Sequence, residues 1–247
     1  MRMGPIINAS LRSIFQFKSL IIVYLGIVLI CALAIGLIGS KLIIEPIMSN
    51  GLINKSSLSY YIGIIGYSTA FILTGINYCV LFSVPLTRDK VNKVIESLLA
   101  TASSVKEVWV AKSVALFIPG LLIGVFIPYL LTEYFSLTYL SSSFFASTNI
   151  WILLSTYLAV PVMFFCLSLL IHFVGLVGNV ENGIVIASIF LPSISALFIN
   201  LLARNVISLD TPLFFLGNIA IALILYLICM ANRSKLNKED IVLSCQS

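Results

Sequence analysis

Four polar side chains stand inside otherwise apolar stretches, where their chemistry is hydrogen bonding in a medium that offers few partners. They are Asn77, His172, Asn200 and Asn218. Polar groups are costly in lipid and commonly face the interior of a helix bundle, where they can line the path of a transported molecule. The same side chains can instead join two helices through hydrogen bonds, each worth about 0.6–2 kcal/mol. The sequence leaves both interpretations open.

The sequence lacks the patterns that carry catalysis or metal binding. His172 is the only histidine and has no Cys, Asp or Glu at ligand spacing. No G-x-x-x-x-G-K-[ST] run is present, so the chain has no phosphate loop of its own for ATP. We therefore expect no enzymatic activity, no metal site and no cofactor site in this chain.

The segment from Thr87 to Lys112 combines charged residues with a helical apolar stripe. The stripe consists of Val91, Val94, Ile95, Leu98 and Leu99. Its i, i+3, i+4, i+7 spacing predicts a helix over about 88–102. Ser104 and Glu107 then match a capping box, which predicts that a new helix begins there. The predicted connector helix either lies on the lipid surface or docks a partner in the cytoplasm.

The composition requires that these residues be positioned by membrane-spanning helices. The 247 residues are 60% hydrophobic and 9% charged, and their mean hydropathy is +1.14. A soluble domain is about a quarter charged, so a soluble enzyme, a secreted domain and a disordered chain are excluded. A spanning helix needs about 20 apolar residues. The sequence predicts an all-α polytopic membrane protein, one domain over 1–247, with spans at about 19–40, 60–86, 108–132, 151–177, 184–203 and 212–232.

The first residues predict a helix that lies in the membrane interface. Over about 5–18, Ile7, Leu11 and Phe15 share one face, and Arg12 and Gln16 lie opposite. This helix is too polar to span and amphipathic enough to bind the lipid surface. The alternative is that the first span begins early.

The distribution of Lys and Arg predicts the orientation. With the N-terminus inside, the inner segments carry Arg2, Arg12, Lys18, Arg88, Lys90, Lys93, Lys106, Lys112, Arg233, Lys235 and Lys238, and the outer ones carry Lys41, Lys55 and Arg204. Positive residues concentrate on the cytoplasmic side, so we expect a multi-pass protein of the cell membrane with both termini in the cytoplasm. The net charge of +5 then reflects this bias and attraction to membrane lipids, and we expect no nucleic-acid partner. Asn54-Lys55-Ser56 is a glycosylation sequon on the predicted outer side.

The connector resembles the cytoplasmic loop after span two in the permeases of type-two ABC transporters. The residues that carry the resemblance are Arg88-Asp89-Lys90, Ile95-Glu96-Ser97-Leu98-Leu99-Ala100-Thr101, Ser104, Glu107 and Lys112. Ile95 stands where leucine is usual in the family, and Ser103 stands where proline is common.

The resemblance implies the membrane-spanning subunit of an ATP-driven transporter, as a rule an exporter. Two such permeases, identical or different, pair with two separate ATPase subunits that bind ATP and magnesium. The helix after span two, called the coupling helix, contacts the ATPase. By position the contact residues here are Arg88, Asp89, Lys90, Lys93 and Glu96. The alternative function is a channel or an integral membrane assembly factor without ATPase coupling.

Overall fold

The structure is a computed structural model that describes residues 3–49, 55–100, 104–203, 206–239 and 241. These residues form helices, turns and short links, and no strand occurs in the described ranges. Asn54 of the sequon and residues 101–102 at the end of the predicted connector helix lie outside the described residues, as do Arg2, Ser103 and Arg204.

Twelve α-helices are labelled here in chain order over the described ranges. They are α1 (Met3–Gln16), α2 (Lys18–Ile38), α3 (Glu45–Ser49), α4 (Lys55–Leu81), α5 (Ser83–Val91), α6 (Val94–Ala100), α7 (Val105–Leu140), α8 (Phe144–Ser147), α9 (Ile150–Leu154), α10 (Val160–Val177), α11 (Val180–Ala203) and α12 (Pro212–Ala231). Wider π-helical turns at Gly39–Ile44 and Ser155–Ala159 join α2 to α3 and α9 to α10, and Arg233–Lys235 is a short 3-10 helix.

Six helical segments are long and apolar enough to cross a membrane, which confirms the predicted number of spans. Within the described residues they run over Lys18–Ser49, Lys55–Val91, Val105–Leu140, Ile150–Val177, Val180–Leu202 and Pro212–Ala231. They are numbered span one to span six below.

Two helical segments continue furthest past the expected ends of their spans. The helix of span one continues past residue 40, the expected end of the span, to Ser49 through the π-helical turn. Span three continues past residue 132 to Leu140, where Ser141 in the left-handed conformation (φ 54°) ends it. Local bonds explain the second extension, because Thr138 donates to the Tyr134 carbonyl at 2.7 Å and Ser136 to the Ser142 carbonyl at 2.7 Å. The first bond satisfies a hydroxyl within the helix, and the second joins the last turns of α7 to the residues that follow it.

Spans two, three and four form the centre of the bundle. Helix α4 packs along α7, and α10 packs against α7, α11 and α12. In the most apolar part of each segment, 71% of span two and 72% of span four is buried, against 11% of span one and 12% of span five. Spans one and five therefore present most of their surface outward, whereas spans two and four are enclosed by protein.

Glycine permits the close approach of α4 and α7. A Cβ added to Gly66 would lie 2.5 Å from the Thr132 methyl carbon, and one added to Gly124 would collide with the Thr74 hydroxyl. That hydroxyl already donates to the Ala70 carbonyl at 2.7 Å. Small residues allow helix backbones to approach each other in a membrane, where packing rather than hydrophobicity drives association.

Candidate functional site

The connector between spans two and three contains two helices in place of the single helix expected over about 88–102. Helix α5 ends at Val91 and α6 begins at Val94. Lys93 takes the left-handed conformation (φ 55°), and its N–H donates to the Lys90 carbonyl at 3.0 Å. A left-handed residue cannot continue an α-helix, so the chain turns sharply at Asn92–Lys93.

This turn changes which residues of the apolar stripe are buried. Ile95 and Leu99, one helical turn apart on α6, are buried at 0% and 5% exposure. Val91 is 72% exposed and Val94 is 38% exposed. The stripe expected from spacing therefore anchors the connector through its second half only, because the break at Lys93 alters the helical phase.

The capping box predicted at the start of span three is confirmed. The Glu107 N–H donates to the Ser104 hydroxyl at 3.2 Å, and the Ser104 N–H donates to the Glu107 carboxylate at 3.1 Å. Both bonds satisfy N–H groups that a helix N-terminus leaves unpaired. The start of α7 is thus set by two residues next to the connector.

Two of the five predicted contact residues point into the protein. Asp89 forms an ion pair with Lys112 of α7, and the two side chains are only 10% and 5% exposed. Lys90 is 7% exposed and donates to the carbonyl of Gly178, at the end of span four, at 2.6 Å. The expectation that both face a partner thus differs from their placement, because α5 packs against neighbouring helices that offer these charges partners.

The other three predicted contact residues are accessible. Arg88 is exposed, donates to the Gln16 side-chain oxygen at 3.2 Å, and lies 5.1 Å from the ring centre of Phe17. Lys93 is exposed at the turn. Glu96 is half-buried, and one of its carboxylate oxygens is buried without a hydrogen-bond partner among the described residues.

The C-terminal segment also contacts the connector, which the sequence analysis missed. Lys238 donates to the carbonyl of Leu99, in the last turn of α6, at 3.0 Å. Leu236 and Ile241 on either side are buried at 7% and 1% exposure. A cation at a helix C-terminus is favourable because the last carbonyls of the helix are unpaired. The only sign of this contact in the sequence is a pair of apolar residues, Leu236 and Ile241, on either side of Lys238. So short a pattern does not identify the helix that the segment contacts.

The four polar residues of the apolar stretches occupy separate places. Asn77 is fully buried, and its amide donates to the Leu116 carbonyl at 2.8 Å. His172 is 5% exposed, and its Nδ1 lies 3.0 Å from the Ser168 carbonyl oxygen.

Asn218 and Asn200 differ most in their surroundings. Asn218 is fully buried, accepts a bond from the Tyr67 hydroxyl at 2.7 Å and donates to the Phe214 carbonyl at 2.9 Å. Asn200 is exposed and donates to the Ala196 carbonyl of its own helix at 2.8 Å. Among the described residues no hydrogen bond joins any two of these four side chains, and no group of three or more His, Cys, Asp or Glu side chains lies together.

Further polar contacts between helices escaped the sequence analysis. The Trp109 indole donates to the Leu169 carbonyl at 2.8 Å, and the Ser168 hydroxyl donates to the Ser113 carbonyl at 2.8 Å. Trp109 is only 6% exposed and lies between helices. These bonds join spans three and four close to the connector.

The chain matches no family model, no curated protein and no solved structure in the comparisons. Its functional interpretation therefore depends on its own residues and their geometry.

Proposed function

We propose that this chain is the membrane-spanning permease subunit of an ATP-driven ABC transporter, as a rule an exporter. In this proposal two permeases, identical or different, pair with two separate ATPase subunits that supply ATP and magnesium. Six apolar helices provide the membrane domain that such a subunit needs. The connector carries the residues that resemble the family's coupling helix.

The observation that carries the proposal is the geometry of α6. This short helix holds Ile95 and Leu99 in the protein while the half-buried Glu96 keeps one carboxylate oxygen without a partner in the described part of the chain. A buried carboxylate without a hydrogen bond is unfavourable. That oxygen is itself enclosed by the protein, whereas the rest of the half-buried side chain is accessible. A donor from a docked ATPase would reach the carboxylate from the accessible side, and charge-assisted bonds of this kind are strong.

The connector is attached to three spans, so it is suited to transmit force from a docked ATPase to them. Helix α5 continues span two, α6 leads into span three through the capping box at Ser104, and Lys90 bonds to the end of span four at Gly178. A displacement of α6 would therefore act on the three helices at the centre of the bundle. This arrangement favours a coupling role over a helix that merely rests on lipid.

The proposal includes a translocation path and an orientation. Asn77, His172 and Asn218 are the buried polar groups that we propose for the path, whereas Asn200, on the exposed surface of α11, could meet it only beside a second permease.

We place both termini in the cytoplasm of the cell, with α1 in the inner membrane interface. Single cysteines at Ser57 and Lys106, in a cysteine-free background, test this orientation. An impermeant thiol reagent should label the Ser57 site on intact cells. Labelling of the Lys106 site alone would mean that the orientation is the opposite of the one proposed.

The decisive experiment asks whether the chain works with an ATPase. The purified chain alone should show no ATP hydrolysis, and a tagged copy captured from its native membrane should bring a polypeptide that contains a phosphate loop. Hydrolysis by the homogeneous chain, or a tagged complex without any ATPase at near-native expression, would contradict the permease proposal.

Two variants of α6 and its turn sharpen that experiment. Glu96→Ala should reduce the capture of the ATPase, or uncouple transport from hydrolysis, because it removes the carboxylate that we assign to the interface. Lys93→Ala, at another predicted contact residue, should have a smaller effect, because an exposed charge is screened by solvent. Wild-type capture and wild-type coupling in the Glu96→Ala variant would remove Glu96 from the interface.

A further inference from the structure

A groove with several polar lining residues, called the polar groove below, separates α1 from the connector. The apolar part of the groove consists of Ile6, Ala9, Val94 and Leu98. Ser10, Ser13 and Gln16 line the groove from α1, and Arg88 and Asn92 line it from the other side. Its volume is about 240 Å³. Hydroxyl, amide and guanidinium groups thus converge on one space, and each of them can donate a hydrogen bond.

The charge in this groove is positive. Asp89 and Lys112 also line it, but they neutralise each other through their ion pair. Arg88 has no carboxylate within ion-pair distance among the described residues. Its guanidinium is therefore the uncompensated charge of the groove, and an anion is the complementary ligand.

Arg88 is held in position before any ligand binds. Gln16 accepts one of its bonds, and the Phe17 ring lies against the guanidinium carbon at 5.1 Å. In the described part of the chain its other N–H groups have no hydrogen-bond partner. A guanidinium offers paired donors that match the oxygens of a phosphate group. A preorganised side chain loses less entropy on binding than a free one.

An apolar cavity continues from the polar groove. It has a volume of about 390 Å³ and is lined by Phe17, Val84 and Val91, and it shares Arg88 and Asn92 with the groove. Phe17 immediately precedes span one, and Val84 lies in the last turns of span two. The combined cavity therefore lies at the ends of two spans, where phosphate groups and acyl chains of lipids meet.

We propose that this cavity binds an anionic phospholipid, with its phosphate on Arg88 and its acyl chain along Phe17, Val84 and Val91. A soluble phosphate compound would use only the polar half. A carboxylate of a protein partner would pair with Arg88 without using the apolar half. The test must therefore distinguish lipid binding from protein binding. The proposal goes beyond the proposed transport function and holds whether or not an ATPase binds.

The test measures lipid affinity for the full chain in detergent by native mass spectrometry. Phosphatidylglycerol is titrated against phosphatidylcholine for the wild type and two variants. Arg88→Gln should weaken phosphatidylglycerol binding about tenfold, the effect of losing one bond to a charged group. The control is Arg12→Gln, an exposed cation on α1 that lines neither cavity. It should change the affinity less than about twofold, as expected of a screened surface charge.

Competition and a second variant distinguish the alternatives. Asn92→Asp keeps Arg88 and adds a carboxylate to the groove, so it should weaken phosphatidylglycerol binding severalfold, whereas Asn237→Asp on the exposed C-terminal segment should not. Equal affinities of Arg88→Gln and Arg12→Gln would overturn the proposal. Displacement of the lipid by inorganic phosphate alone would also overturn it in favour of a soluble ligand. Unchanged lipid binding with lost capture of a cytoplasmic protein would assign Arg88 to that protein instead.

Discussion

The buried ion pair between Asp89 and Lys112 predicts a large coupling energy. Its side chains are 10% and 5% exposed, so removing either partner leaves the other as an unpaired buried charge. Such a loss costs about 3–5 kcal/mol. Both residues line a cavity of about 240 Å³, which lets water reach the remaining charge. We therefore expect Asp89→Leu and Lys112→Met each to cost about 3 kcal/mol, at the lower end.

The double variant should recover most of this loss. Two apolar side chains can replace a buried ion pair with little or no net cost, because neither then has to be removed from water as a charge. We expect the double variant to lie within about 1 kcal/mol of the wild type. The coupling energy, the difference between the double and the summed single effects, is then about 5 kcal/mol.

Equilibrium unfolding in mixed micelles measures the four free energies of this cycle. The control is the exposed pair Lys41 and Glu45, whose side chains are 66% and 44% exposed and whose charged atoms lie 2.6 Å apart. Its cycle of Lys41→Met and Glu45→Leu should give a coupling far smaller than that of the buried pair, because solvent screens exposed charges. Additive effects of Asp89→Leu and Lys112→Met, or a coupling no larger than that of the control, would refute the buried pair.

Three further substitutions test the packing of the bundle and the start of span three. Gly124→Ala should destabilise the protein by about 1–3 kcal/mol, because the added methyl group collides with Thr74 of span two. Gly26→Ala is the control and should be neutral in the same unfolding assay, because the space around Gly26 is open. Tyr67→Phe removes the hydroxyl that donates to Asn218 and should cost about 0.6–1.7 kcal/mol, and no loss would indicate that the amide finds another donor. Ser104→Ala should cost about 0.5–2 kcal/mol and increase hydrogen exchange in the first turn of α7, and unchanged exchange would contradict its role as a cap.

The sequence alone was sufficient for the features that depend on local composition. A bilayer excludes charges over about 30 Å, so long apolar segments between charged residues indicate spans without any knowledge of their neighbours. The capping box at Ser104 and Glu107 is equally local, because the two residues satisfy each other within one helical turn. The number of spans and the start of α7 could therefore be predicted.

The ends of helices were harder to predict, because local bonds compete with polarity. Residues 133–140 remain helical although they include polar side chains; Thr138 bonds to a carbonyl of its own helix, and Ser136 bonds to the Ser142 carbonyl just beyond it. The break at Asn92–Lys93 lies inside an apolar pattern with helical spacing, so periodicity gave no sign of it. Whether a polar residue ends a helix or is accommodated depends on its bonds, which periodicity does not record.

Tertiary structure alone decided the roles of the charged and polar side chains. Asp89 and Lys112 are 23 positions apart in the chain, and only the packing of α5 against α7 makes them partners. Asn218 and Asn200 both stand in apolar helices, yet one lies inside the bundle and the other faces outward. A helix in lipid has no polar face to mark its outer side, so the face that a neighbouring helix covers can be read only from the packed bundle.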